Sequence, residues 1–105
     1  MRTTIYKLSD EDYANLAAEM KGKLTMPCYF TGVIEVIGRE DVIIRLTASL
    51  ILYRDRPNSR DRYEVYDPIC AVSAVWWDAV CEDDEGIIWD DFDFERFTQH
   101  LIEKQ

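Results

Sequence analysis

The segment Trp76 to Phe97, WWDAVCEDDEGIIWDDFDFERF, holds the side chains of this chain whose types and spacing come nearest to chemistry. Between Asp78 and Glu95 lie nine carboxylates, Asp78, Glu82, Asp83, Asp84, Glu85, Asp90, Asp91, Asp93 and Glu95, with no Lys, Arg or His among them. Carboxylates at that density can ligate a hard cation, act as a general acid and base, attract a basic partner, or simply solvate the edge of a domain.

A calcium loop of the EF-hand kind needs a glycine at its sixth place and oxygen ligands at its ends. With Gly86 sixth, Cys81 falls first and Phe92 last, and neither supplies oxygen, so that loop is excluded. A looser divalent site built from Asp83, Asp84, Glu85 and Asp90 stays open. Paired-carboxylate hydrolysis requires a cleft that drives two pKa values apart, and nothing in EDDE points to burial. Histidine-based triads and transition-metal sites have only His100 to draw on, and Gly22, Gly32, Gly38 and Gly86 form no phosphate-binding loop. Cys28, Cys70 and Cys81 are odd in number and lack C-x-x-C spacing, so they read as small buried hydrophobes. A Cys81 nucleophile served by His100 is the one reactive arrangement they leave open. The expectation is a chain with no metal, no cofactor and no catalytic residue. The alternative is an enzyme or divalent-metal protein using the Asp78 to Asp91 carboxylates.

The nine acids equal the whole formal charge of −9, because the other twelve Asp and Glu are matched by twelve Lys and Arg. The acidity is therefore one local field. It disfavours nucleic acid and anionic membranes as partners, since both are bound by Lys and Arg that displace counterions. The start, MRTTIYKLSDED, has no apolar core of a signal peptide, and no apolar run reaches the roughly 18 residues that span a bilayer. A cytoplasmic protein is expected.

The elements that must position these residues are legible in part. At 105 residues, with no repeat or compositional break, the chain is expected to form one α+β domain, residues 1–105. In LSDEDYANLAAEMKGKL, Ser9 is an N-cap, Asp10, Glu11 and Asp12 fill the first turn, and Leu8 staples onto Tyr13. Tyr13, Leu16, Ala17, Met20 and Leu24 make the helical stripe, and Gly22 with its flanking lysines marks the exit.

From Cys28 to Tyr53 the period changes to two. Ile44, Leu46, Ala48, Leu50 and Leu52 alternate with Arg45, Thr47 and Ser49, and Cys28, Phe30, Gly32, Ile34 and Val36 form the matching inner face of the strand before, joined around Gly38 to Asp41. Pairing Ile34 with Leu46 sets Glu35 opposite Arg45, Thr31 opposite Ser49 and Tyr29 opposite Ile51; a slip of one would turn Glu35 inward. Gly32 then meets Ala48, a shallow spot against which the first helix is expected to lie.

Arg54 to Arg62, RDRPNSRDR, reads as a self-neutralised solvated loop, with a short fourth strand expected at Tyr63 to Tyr66 before Pro68. Ile69 to Cys81 is read as a third long strand on its Val and Trp content, although Ile69, Val72, Trp76 and Val80 also sit at helical spacing. Neighbours on a strand point oppositely, so Trp77 is placed inside, with Trp76 and Asp78 outside. A second helix opens near Asp90 or Asp91 and carries Phe94, Phe97 and Leu101. The whole is a helix, an antiparallel meander of three long strands with room for a fourth, and a closing helix, both helices on one sheet face. The order of elements is similar to that of several helix-and-sheet superfolds, cystatin-like ones among them, but no motif ties the chain to a family and the analogy implies no function.

Two surfaces follow as binding candidates. One is the acidic patch of Glu82, Asp83, Asp84, Glu85, Asp90 and Asp91, expected to be exposed and to dock a basic protein surface. The other is the outer sheet face, with Tyr29, Val33, Ile37, Ile43, Ile51, Tyr53 and Trp76. It is too apolar to stay open, and a homodimer is expected to cover it; the alternatives are a concave pocket for an apolar ligand or the Arg54 to Pro68 loop folded over the face. The resulting expectation is a non-catalytic protein-protein interaction module.

Overall fold

The structure, a computed structural model, describes residues 5–55 and 67–103. Its centre is β2 (Ile43–Arg54), whose inward residues Ile44, Leu46, Ala48, Leu50 and Leu52 are all buried. β2 lies between β1 (Tyr29–Ile37) and β3 (Ile69–Asp83), and β4 (Gly86–Ile88) completes an antiparallel sheet of order β1-β2-β3-β4. The expected register is the observed one, with Ile34 on Leu46, Glu35 on Arg45, Thr31 on Ser49 and Tyr29 on Ile51. α1 (Asp10–Gly22) and α2 (Phe94–Leu101) pack side by side over one face and close the core with Tyr13, Leu16, Met20, Phe97 and Leu101.

α1 begins as its sequence requires. Ser9 Oγ accepts from the Asp12 amide at 3.2 Å and Asp12 Oδ2 accepts from the Ser9 amide at 3.0 Å, a reciprocal capping box. The same Asp12 oxygen also accepts from the Tyr6 hydroxyl at 3.0 Å, and that hydroxyl accepts from the Arg39 amide at 3.0 Å. One buried carboxylate thus ties the chain start, the first helix and the β1–β2 connection together. The hydroxyl sits so close to Gly38 that a Cβ there would come within 2.2 Å of it.

Several expectations are corrected. The fourth strand among the described residues is Gly86–Ile88, which the sequence reading did not anticipate; the short strand expected at Tyr63 to Tyr66 lies outside the described residues. Asp83 pairs with Gly86 across the two-residue loop Asp84–Glu85, and Gly86 takes φ +117°, a conformation that L side chains rarely adopt. Arg54 is not part of a solvated loop. It ends β2 on the core side with its guanidinium buried, donating from Nε to the Pro27 carbonyl and from Nη1 to the Asp67 carbonyl at 2.5 Å. Burial lowers its pKa, and the carbonyl oxygens serve a cation that has lost its water.

α2 starts later than Asp90 or Asp91. Asp93 is its N-cap and accepts from the Glu95 and Arg96 amides at 2.9 and 3.4 Å. Asp90 and Asp91 instead belong to the crossing segment, where Tyr6 bridges Asp90 and Asp91 Oδ1 accepts from the Leu8 amide at 2.8 Å. The shallow spot at Gly32 is filled by the ring of Phe30, 3.6 Å from where a Cβ would stand, rather than by the first helix.

Ile69 to Cys81 is strand throughout, and β3 runs on to Asp83 with register irregularities opposite Ser49/Leu50 and Tyr53/Arg54. Those irregularities insert Val75 and Cys70 as extra residues, which explains why no single period described this segment.

Gly38→Ala is expected to destabilise the fold by about 1–3 kcal/mol in urea unfolding, the usual range for overpacking. Adding Tyr6→Phe removes the clashing oxygen, so the double variant should lose less than the two single losses summed. Simple additivity would show that the hydroxyl is not the obstacle.

Candidate functional site

The outer sheet face is open over its whole length among the described residues, but it is not one apolar patch. At one end Tyr29, Ile51 and Tyr53 lie beside Trp76, which stands opposite Ser49; at the other, Ile37 and Ile43 form a second lobe, with Ile87 across Glu82 from Ile43. Ile37 is 69% and Ile87 77% exposed, and only Tyr29 and Ile43 are half-buried. Between the lobes runs a polar belt. The Thr31 and Ser49 hydroxyls hydrogen-bond at 2.8 Å, and Thr47 pairs with Asp78 beside Val33. Arg45 bridges two carboxylates, Glu35 at 2.5 Å and Glu82 at 2.9 Å. The expectation of a contiguous patch overlooked that these cross-strand partners fall in the middle rows.

The acidic residues are divided in the same way. Glu82 is half-buried on the outer face, partnered by Arg45. Asp84 and Glu85 form the exposed hairpin loop, with Asp83 Oδ1 accepting from the Glu85 amide at 2.8 Å. Asp90 accepts from the Phe92 amide at 2.9 Å, and Asp91 holds the Leu8 amide. The six carboxylates therefore do not make one exposed patch. Those nearest the helix layer are used by backbone amides that would otherwise lack partners, a need no charge count shows. Among the described residues no three His, Cys, Asp or Glu are arranged to hold a metal ion, and no helix is long and apolar enough to cross a membrane.

Trp77 faces the helix layer as expected, opposite Ala48, yet remains 41% exposed. Its ring stacks on Phe94 at 5.4 Å and meets Phe92 at 5.3 Å, and the helix layer ends there, short of the sheet edge. Trp89, at 76%, is the most exposed tryptophan, a residue that sequence reasoning did not single out. Its position two residues beyond Ile87, on the same alternation, was the available signal.

The cysteines are not all buried. Cys70, one of the extra residues of β3, is exposed, Cys28 is half-buried and Cys81 is fully buried. Burial, with the charges of Asp90, Asp12 and Asp91, pushes the Cys81 thiol from 9.0 up to about 12. A thiol held protonated in the core cannot act as a nucleophile. His100 is engaged elsewhere, stacked on Tyr13 at 6.2 Å and 4.0 Å from Asp10.

The pH dependence follows in sign. The folded state holds the Cys81 proton more tightly than the unfolded chain, so this contribution is intact below pH 9.0 and declines as pH rises towards about 12. Tyr6 and Tyr13, both raised above 10.0 chiefly by burial, act in the same direction. Urea midpoints are expected to fall above pH 9.0, and a thiol reagent at neutral pH should modify Cys70 first and Cys81 only on unfolding. Rapid modification of Cys81 in the native protein would contradict its burial. Compared with known proteins, the chain matches no family model, no curated protein and no solved structure.

Proposed function

We propose that this protein is a small, non-catalytic, cytoplasmic interaction module. Its outer sheet face docks a second copy of the chain, and its acidic end meets a basic protein surface, without nucleic acid or membrane as partner. The observation that carries the reading is the outer face, covered by none of the described residues, with two apolar lobes on either side of a polar belt. Exposed apolar area of several hundred Å² is about the size that monomers hide or use.

The arrangement selects one symmetry. A two-fold axis lying across the strands, between two sheets stacked about 10 Å apart, sets each lobe on the other lobe and belt on belt. The axis passes over Thr47, so Ile43 and Ile51, four residues to either side, face one another between copies. The acidic hairpins then lie at opposite ends of the assembly, which limits their mutual repulsion. An axis along the strands would instead set Arg45 against Arg45 and the Glu82 carboxylate against Ile37, with no gain for either.

Sedimentation at tens of micromolar should find a dimer for the wild type and a monomer for Ile51→Lys. Ile51→Lys combined with Ile43→Glu should recover part of the association, because the two side chains meet across the axis. A monomeric wild type, or a dimer indifferent to Ile51→Lys, would refute the stacked dimer. Docking of a basic partner at the acidic end is expected to weaken with salt and on replacing Asp83, Asp84 and Glu85 by Ser.

A further inference from the structure

The two long edges of the sheet are treated differently. The β1 edge is engaged by the first helix's exit, where Lys23 Nζ donates to the Val33 carbonyl at 3.2 Å, a lysine placed where it hinders a further strand. Among the described residues the β3 edge is closed only at its ends. At one end Ile69 donates to Glu103 Oε2 at 3.1 Å and accepts from the Glu103 amide at 2.8 Å; at the other β4 pairs with Cys81 to Asp83. From Cys70 to Val80 no described residue pairs with this edge, a berth of roughly 35 Å at about 3.3 Å per residue.

The berth has little of the usual protection. CAVSAVWWDAV contains no proline and a single charge, Asp78, which is exposed. On the helix side the half-open Trp77 indole lies at the limit of the layer, and on the outer side Trp76 stands exposed, next to the exposed extra residue Val75.

We propose that this edge receives an extended segment of another polypeptide as a fifth strand, antiparallel to β3 and continuing the line of β4. The segment alternates β-branched residues that cover Trp77 on one side and Trp76 on the other. Its N-terminal part is basic, so that a lysine or arginine lies across from Asp78, at the border of the acidic field. Charge complementarity selects a basic segment over the β3 edge of a second copy, since Ile69–Asp83 contains no Lys, Arg or His to meet Asp78. This edge borders the outer face at Trp76, and its test, carried out also on the Ile51→Lys variant, does not depend on the stacked dimer.

The probe is a synthetic peptide of two lysines followed by alternating valine and threonine, compared with the same peptide begun by two glutamates. The lysine peptide should bind the wild-type protein about tenfold more tightly, and Asp78→Lys, at an exposed position whose folding is checked by circular dichroism, should invert that preference. Hydrogen exchange should show amides of Cys70 to Val80 slowed by the lysine peptide. Three results would each overturn the proposal: no binding of the lysine peptide, equal binding of both peptides, or binding that leaves the β3 amides unchanged. Protection of those amides that rises with protein concentration alone would assign the edge to a second copy instead, and would also overturn it.

Discussion

The pairing of Ile34 with Leu46 is the constraint on which the rest of the structure depends. Both side chains are wholly buried, and in a strand of period two their inward placement fixes the direction of every other residue on β1 and β2. Phe30, Ile44, Leu50 and Leu52 are thereby committed to the helices, and Glu35, Arg45, Thr31 and Ser49 to the outer face. The Arg45 bridge to Glu35 and Glu82 follows from this register and adds little to it, because exposed ion pairs contribute only about 0–1 kcal/mol. Apolar burial sets the alignment, and the outer polar pairs are compatible with it.

Above the sheet, the order of the helix layer rests on a few polar side chains that satisfy backbone groups. Asp12 serves Ser9 and Tyr6, Asp91 serves Leu8, and Asp93 caps α2 while its own amide donates to the Tyr13 hydroxyl at 2.9 Å. Each of these residues joins segments far apart in the chain or opens a helix, so part of the acidic excess is structural. Tyr13 shows the coupling most directly. Its ring packs on Phe92 and His100 and lies under the Arg96 guanidinium, 4.6 Å away, while Arg96 also reaches Asp10 at 2.6 Å.

The sheet is wider than its helical cover. Two helices shield β1, β2 and the Cys81 end of β3, while the stretch from Cys70 to Asp78 is exposed or nearly so on both faces. The extra residues Cys70 and Val75 occur in this stretch, where the strand has a partner on only one side and can bend without disturbing a second ladder. The exposed tryptophans and the open edge have a common origin: β3 extends past the layer that would have buried it.

The sequence by itself determined whatever rests on local periodicity and caps. α1 from Ser9 to Gly22, the strands β1 and β2 with their register, and the strand character of Ile69 to Cys81 were all readable, because alternation and capping act between residues near in sequence or on facing strands. Tertiary structure decided the rest. Whether Trp77 is covered depends on where α2 stops, whether Arg54 is buried depends on the Pro27 and Asp67 carbonyls, and which carboxylates are engaged by the backbone depends on amides as distant as that of Leu8. The outer face separated into lobes because polar residues of β1 and β2 share rows, Thr31 with Ser49 and Glu35 with Arg45, and Asp78 of β3 meets Thr47 between them, a property of the assembled sheet that no single strand carries.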